Sequence, residues 1–155
     1  MQSITPFLWF GKEAREAAEF YTSVFKGSKI KESTTLQNTP SGTVEIFTIQ
    51  LLGQEFALMS AGPLFKFNES ISFVVHCETQ EEIDYYWKEL SADPKAEQCG
   101  WLKDKFGVSW QIQPTVLGTM LRNKDPRKVA RVTEAFLKMK KFEIATLKKA
   151  YADRK

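Results

Sequence analysis

Apolar and polar positions in the first sixty residues follow the pattern of one strand, one helix and three more strands. The first strand is predicted over Ile4–Phe10, and the helix over about Glu13–Phe25, with Gly27 ending it. Gly53-Gln54 suits a two-residue hairpin with glycine first. The three strands around this hairpin are predicted over Lys29–Leu36, Thr43–Leu52 and Glu55–Ser60.

The same order of elements is predicted again after a turn-rich connection at Ala61–Asn68. A strand over Ser70–Cys77 leads to a helix over Thr79–Leu90, and Thr79-Gln80-Glu81-Glu82 forms a Thr-x-x-Glu capping box at its start. The last strand is Val108–Gln113. Before it, Ala96–Trp101 and Leu102–Phe106 are one bent strand or two. A helical segment over about 125–152, with a break near 140–142, closes the chain.

Two internal echoes indicate that these two halves are related modules. The strand and helix of the first half recur at a spacing of about 66 residues, and Gly53–Leu58 recurs as Gly107–Ile112 at a spacing of 54. The predicted fold class is therefore α+β, with duplicated βαβββ modules and a C-terminal helix. We expect a single domain over 1–155, with module one at about 1–62, module two at about 68–115, and a cavity between the modules.

Composition narrows the class of protein further. The chain has 12 Phe, 4 Trp and 4 Tyr, which indicates an aromatic core or pocket. No apolar run approaches the ~18 residues of a membrane span, and no signal-peptide pattern is present. Cys77 and Cys99 do not form a disulfide framework, so a cytoplasmic location is expected.

Charge is distributed unevenly along the chain. Residues 122–155 hold 12 Lys/Arg and 4 Asp/Glu, whereas the chain as a whole has a net charge of +3. The basic residues are not interleaved with aromatic residues, so nucleic-acid binding is not expected. The alternative is that the lysines solvate a surface helix, which faces the acidic body of the chain or a second subunit.

One run near the end of module two has a specific resemblance. The segment Cys99–Ile112 (Cys-Gly-Trp-Leu-Lys-Asp-Lys-Phe-Gly-Val-Ser-Trp-Gln-Ile), with Ile4–Phe10, Ala17–Tyr21 and 135–145, resembles the PhnB-like group of the vicinal oxygen chelate superfamily. That superfamily includes glyoxalase I, extradiol dioxygenases and bleomycin-resistance proteins. The group is often labelled a 3-demethylubiquinone-9 3-methyltransferase domain. No G-x-G-x-x-G turn is present, so we interpret the label as an inherited family name and not as an activity of this chain. Methyl transfer to a quinone-type compound, which the label implies, stays an alternative.

The resemblance also implies where a metal would be held. Superfamily enzymes use side chains from the first and last strands of each module, and these positions fall near Pro6, Ala57, Ser72 (or Ser70) and Gln111. None of these is a strong ligand, so we expect no metal and no cofactor. The single histidine, His76, is interpreted as a rim residue. No catalytic residue is assigned.

What remains is an aromatic and amide-lined concavity. One face of the last strand carries Ser109, Gln111 and Gln113. We predict that the side chains of Cys99 and Trp101 point to the same face of their strand. We interpret Glu55 and Asp104, near turns, as solvated. Each aromatic could individually be core. We predict a small apolar or aromatic ligand, with an enzyme of unknown reaction and a structural or regulatory partner as alternatives, and a homodimer. The predicted pocket lining is Phe7, Trp9, Phe56, Met59, Ser72, Cys99, Trp101 and Gln111.

Overall fold

The structure is a computed structural model that describes residues 1–153. The chain divides into two compact units, Met1–Lys66 and Phe67–Lys155. The boundary between them lies inside the connection predicted at Ala61–Asn68. Within the described residues, no helix is both long and apolar enough to cross a membrane.

The first unit is a four-stranded sheet with one helix. Its elements are β1 (Phe7–Phe10), α1 (Ala14–Val24), β2 (Lys29–Thr39), β3 (Gly42–Leu51) and β4 (Gln54–Ser60), and the strand order is β1-β4-β3-β2. β1 runs parallel to β4, and the other pairs are antiparallel. Helix α1 buries small residues such as Ala14, Ala17 and Ala18, which allow it to approach the sheet closely.

The second unit has a three-stranded sheet and four helices among its described residues. Its elements are β5 (Ser72–Cys77), α2 (Gln80–Leu90), a 3₁₀ turn (Pro94–Ala96), β6 (Trp101–Lys103), β7 (Ser109–Pro114), α3 (Thr115–Leu121), α4 (Pro126–Leu137) and α5 (Ile144–Ala152). The strand order is β5-β7-β6, with β5 parallel to β7. The predicted cap of α2 is confirmed, since Thr79 Oγ1 accepts a hydrogen bond from Glu82 N at 3.2 Å.

The predicted fold class is confirmed, with differences in the second unit. The stretch predicted as a strand over Ala96–Trp101 instead begins in the 3₁₀ turn, and Gln98 pairs with Trp101 as an isolated bridge. The C-terminal segment breaks near 140–142 as predicted, whereas α3 was not predicted from the sequence.

Each sheet has two different faces, which we call the near face and the far face. The near face packs against the helix of its own unit, as Arg15 of α1 shows by pairing with Glu45 at 2.7 Å and lying over the Phe47 ring. The far face is the opposite side. Strand register places on the far face of the first unit Phe7, Trp9, Ala57, Met59, Ile46 and Thr48, and on that of the second Ser72, Val74, His76, Trp101, Lys103, Ser109, Gln111 and Gln113.

The C-terminal segment of the second unit is anchored on a tight turn at Cys99–Gly100. Both residues have positive φ, 50° and 82°, and the turn is closed by Gln98 and Trp101. The turn's amides point at the connection after α4, since Cys99 N donates to Met139 O at 2.9 Å and Gly100 N to Lys140 O at 2.8 Å. The Phe142 ring lies 2.3 Å from where a Cβ on Gly100 would be. The turn and the C-terminal segment are therefore packed without spare room.

Candidate functional site

A row of hydrogen-bonded polar side chains crosses the far face of the second unit. Gln111 Nε2 donates to Ser72 Oγ at 2.9 Å, and Gln113 Nε2 donates to Gln111 Oε1 at 2.7 Å. The parallel pairing of β5 with β7 brings Ser72 and Gln111 together, although they are 39 residues apart in sequence. Trp101 lies directly opposite Gln111 in the β6–β7 register. Three of the predicted pocket residues, Ser72, Trp101 and Gln111, therefore share one face.

An open pocket of about 270 Å³ lies beside this row. Its lining consists of Glu69, Ala96, Trp101, Leu102, Lys103 and Ser109. Lys103 forms an ion pair with Glu69. The hydrogen bond from Lys103 lowers the pKa of the Glu69 carboxyl, so this carboxyl is charged at neutral pH. Ser109 is 2 % exposed, and its hydroxyl has no hydrogen-bond partner among the described residues.

The predicted pocket residues of the first unit do not all lie on one face. Phe7, Trp9 and Met59 are on the far face, where Trp9 Nε1 donates to Gly62 O at 2.8 Å and Phe7 is 56 % exposed. Phe56 pairs with Ile49 on the near face and is buried in the core under α1. Phe56 is one residue out of phase with Ala57, and a shift of one residue on a strand moves a side chain to the other side.

Cys99 was given the same parity as Trp101, and this assignment is wrong. The strand alternation stops at Cys99 because this residue occupies the left-handed position of the tight turn. Its thiol lies 3.8 Å from Leu137 O, at the C-terminal segment, and is half-buried. Cys99 is therefore separated from the far face by the geometry of the turn.

Asp104 was interpreted as solvated, but the structure buries it. Its Oδ1 accepts hydrogen bonds from Phe106 N at 2.9 Å and Val108 N at 3.0 Å, and its Oδ2 accepts one from Trp110 Nε1 at 2.9 Å. The carboxylate thus closes the turn between β6 and β7. The signal was present in the sequence, because Asp at the first position and Gly107 at the fourth are typical of a β-turn.

Glu55, by contrast, is charged and only half-buried. Lys31 Nζ donates to Glu55 Oε2 at 2.8 Å, and this hydrogen bond lowers the pKa of the Glu55 carboxyl. The pair lies on the surface of the first unit, so it contributes little to stability.

The register also corrects the positions at which the two modules correspond. Helices α1 and α2 begin 66 residues apart, but Phe7 pairs with Ala57 whereas Val74 pairs with Gln111, so the first strands correspond at a spacing of 67. The difference arises because the loop before α2 is one residue shorter. The counterpart of Ser72 is consequently Thr5 and not Pro6.

The side chains at these positions do not fit a divalent metal. Thr5, Ala57, Ser72 and Gln111 offer at most hydroxyl and neutral amide oxygens, and Ser72 and Gln111 bond each other. Among the described residues there is no group of three or more His, Cys, Asp or Glu placed to hold a metal ion. His76 is exposed at the end of β5, opposite Gln113.

The duplicated strand–helix–strand architecture with two small sheets is the fold of the vicinal oxygen chelate superfamily. Two solved structures with low sequence identity share this fold. The fosfomycin resistance protein FosX from Listeria monocytogenes, complexed with Mn(II) and sulfate, is 12% identical, with a TM-score of 0.53, over 79% of this chain and 99% of that chain. A protein from Pseudomonas aeruginosa is 18% identical, with a TM-score of 0.54, over 74% of this chain and 98% of that chain.

A narrower match identifies the family. The family model described as 3-demethylubiquinone-9 3-methyltransferase matches residues 2–113. A putative 3-demethylubiquinone-9 3-methyltransferase, the PhnB protein from Bacillus cereus, is 35% identical with a TM-score of 0.61, over 74% of this chain and 100% of that chain. The chain therefore belongs to the 3-demethylubiquinone-9 3-methyltransferase family, as a PhnB-like member of the superfamily. No curated protein matches it.

Proposed function

We propose that this PhnB-like protein binds a small apolar or aromatic molecule, and that the far face of the second unit supplies the polar contacts. The observation that carries the proposal is the hydrogen-bonded row Ser72–Gln111–Gln113 beside Trp101. Small-molecule sites are typically apolar and aromatic surfaces with a few placed polar groups. Within the second unit, Trp101 supplies the aromatic contact beside this row.

The side chains at the positions where enzymes of the superfamily hold a metal favour ligand binding over a metal-assisted reaction. Gln111 has a neutral amide that can donate and accept, and its partners Ser72 and Gln113 are also neutral. Such a row can exchange its internal hydrogen bonds for bonds to a ligand oxygen without moving a charge. A phenol or a quinone-type carbonyl on an apolar ring meets this requirement.

A ligand screen on the full chain tests the proposal. We expect phenol and hydroquinone to bind, as measured by shifts in a proton–nitrogen NMR spectrum. Gln111→Leu should weaken phenol about two- to tenfold, the range expected for losing one neutral hydrogen bond. Toluene should bind both forms equally.

The control for this experiment is Gln54→Leu, which removes an exposed amide at the start of β4 in the first unit. This variant should bind phenol like the parent chain. The proposal is wrong if no small aromatic binds at millimolar concentration, or if Gln111→Leu and Gln54→Leu behave alike. Elemental analysis after incubation with Mn(II), Zn(II) or Ni(II) and dialysis should find no retained metal, and stoichiometric metal would contradict the proposal.

The family match favours one alternative, methyl transfer to a quinone-type compound. The match extends over residues 2–113, which include the polar row. The test is to incubate the chain with S-adenosylmethionine and a demethylated quinone and to measure S-adenosylhomocysteine by mass spectrometry. We expect no turnover, because the chain has no glycine-rich strand-to-helix turn for the cofactor. Enzyme-dependent formation of S-adenosylhomocysteine would establish the alternative.

A further inference from the structure

We infer that the pocket at Trp101, Lys103 and Ser109 takes a small organic anion with a single aromatic or apolar ring. This inference rests on the proposed function and names the class of ligand. The carboxylate or phenolate oxygen of the ligand would bind Lys103 Nζ and the Ser109 hydroxyl, while its ring would lie against Trp101 and Ala96.

The size of the pocket limits the ligand. A volume of about 270 Å³ is just below the range of typical small-molecule sites, which is roughly 300–1,000 Å³. A ligand with one ring fits this space, whereas a fused-ring or dinucleotide-sized compound does not. Trp101, Leu102 and Ala96 make the lining largely apolar.

The polar groups in the lining converge from two neighbouring strands. Lys103 of β6 lies directly opposite Ser109 of β7, and both are on the far face. Side chains directly opposite on antiparallel strands are close enough to interact with the same ligand group. Lys103 and Ser109 can therefore meet one anionic group together.

The Ser109 hydroxyl independently indicates that a ligand binds in the pocket. Serine hydroxyls buried in native proteins are almost always hydrogen-bonded, and leaving one without a partner costs free energy. Ser109 is 2 % exposed and its Oγ has no partner among the described residues. A ligand oxygen in the pocket would satisfy this hydroxyl.

The ion pair of Lys103 can be exchanged for a ligand. The Lys103 side chain is 26 % exposed, whereas the Glu69 side chain, which also lines the pocket, is 63 % exposed. Exposed ion pairs contribute little to stability, so a ligand carboxylate can replace Glu69 without a large loss. The Glu69 carboxylate would then be hydrated by solvent.

The sign of the ligand charge follows from this arrangement. A cationic ligand could pair with Glu69, but it would place its charge beside the more exposed partner of the ion pair and leave the Ser109 hydroxyl unsatisfied. An anion pairs with the less exposed partner and satisfies the hydroxyl. The predicted ligand is therefore an anion, and tighter binding of an amine would contradict this prediction.

The experiment compares three probes that each carry one phenyl ring, on the full chain at neutral pH, namely benzoate, benzyl alcohol and benzylamine. Binding is measured by NMR titration, which reports dissociation constants and the residues that shift. We expect benzoate to bind at least about tenfold more tightly than benzyl alcohol, with shifts at Trp101 and Ser109, because a hydrogen bond to a charged group is stronger than a neutral one. This comparison requires no variant.

Variants then assign the groups. Lys103→Met keeps the aliphatic stem and removes the charge, so it should abolish the preference for benzoate over benzyl alcohol. The control Lys105→Met removes a lysine from the neighbouring turn and should keep the preference. Ser109→Ala should weaken benzoate and leave the melting temperature unchanged or raised, because it deletes a hydroxyl without a partner.

The outcomes separate this inference from the proposed function. Equal binding of benzyl alcohol and benzoate, or tighter binding of benzylamine, overturns the anion site and leaves the proposed binding of aromatic molecules intact. Loss of the benzoate preference in Lys105→Met as well as Lys103→Met also overturns it. If none of the three probes binds, and phenol does not bind either, both proposals are wrong.

Discussion

The far faces of the two units differ in chemistry although the sheets correspond. Phe7 in the first unit corresponds to Val74 in the second, and Ala57 corresponds to Gln111. At these positions the first unit thus presents the apolar side chains of Phe7 and Ala57, whereas the second presents the row of Ser72, Gln111 and Gln113. The near faces of both units are mainly apolar and lie under their helices. In this chain the duplicated units therefore each have an apolar core but differ in the chemistry of their far faces.

The turns before the last strand of each unit differ in the same way. In the first unit, Leu52 and Gly53 form a two-residue hairpin with φ of 49° and 85°, and the one side-chain hydrogen bond recorded at it runs from Leu52 N to Ser28 Oγ at 3.4 Å. It was predicted at Gly53-Gln54, but β4 already begins at Gln54. In the second unit the corresponding turn is longer, and the buried Asp104 carboxylate holds it. The second unit therefore uses a buried charge where the first uses backbone geometry.

The largest effect is expected at Gly100, which has a counterpart in conformation at Gly53. Both glycines have φ above +80°, but an added Cβ meets nothing within 4 Å at Gly53 and meets Phe142 at 2.3 Å at Gly100. Gly53→Ala should cost about 1–2 kcal/mol from the left-handed backbone. Gly100→Ala should cost about 3–5 kcal/mol, because overpacking adds to this strain.

Chemical denaturation measured by circular dichroism checks this pair of variants. In a chain that already carries Phe142→Ala, Gly100→Ala should cost less free energy of unfolding than it does in the parent chain. The reason is that the ring which the added Cβ would meet is then absent. If Gly53→Ala and Gly100→Ala lose the same free energy of unfolding, the packing of the C-terminal segment against this turn is wrong.

The next largest effect is expected at Asp104. Asp104→Ala should cost about 2–4 kcal/mol, because it leaves two backbone N–H groups and the Trp110 indole N–H without their acceptor. Asp104→Asn retains one carbonyl acceptor and should cost less. Denaturant unfolding measures the free energy of unfolding of both variants. The control is Glu97→Ala, which removes the half-buried acceptor of one serine hydroxyl and should cost less. A loss below that of Glu97→Ala would show that the carboxylate does not hold the turn.

The smallest effect concerns the two thiols. Burial raises the pKa of the Cys77 thiol to about 12, from an ordinary value of 9.0. The half-buried Cys99 should react with a thiol reagent at pH 8 in the folded chain, whereas Cys77 should react after unfolding. Because the unfolded state ionises Cys77 first, its contribution to stability should decline as the pH rises from about 9 to about 12. Mass spectrometry after labelling counts the thiols, and two modified thiols in the folded chain would contradict the burial of Cys77.

Sequence patterns predicted the elements better than the faces. The repeat, α1, α2 and the cap at Thr79 follow from local periodicity and capping chemistry, which act within a few residues. The assignment of faces requires exact register, and the shorter loop before α2 changed the module spacing of the strands from 66 to 67. Phe56 was misplaced by this kind of one-residue error.

The rest of the site depends on contacts between distant residues. The pairing of Ser72 with Gln111 follows from the sheet and was expected only in so far as the resemblance placed both at ligand positions. The pocket at Lys103 and Ser109 was not predicted, since Glu69 reaches it from the connection before β5 and Ala96 from the 3₁₀ turn. Cys99 left the far face because a tight turn replaced a strand, and no alternation pattern reports that.

The docking of the C-terminal segment on the Cys99–Gly100 turn has a consequence for synthesis of the chain on the ribosome. The sheet of the first unit is complete at Ser60, so its native pairing can form while the second unit is still being translated. The second unit cannot reach its native packing until Phe142 has left the exit tunnel, because this ring covers the turn more than forty residues earlier. During that interval the Cys99–Gly100 turn has no cover, and a nascent chain halted before Phe142 should be cleaved by protease in the second unit and protected in the first.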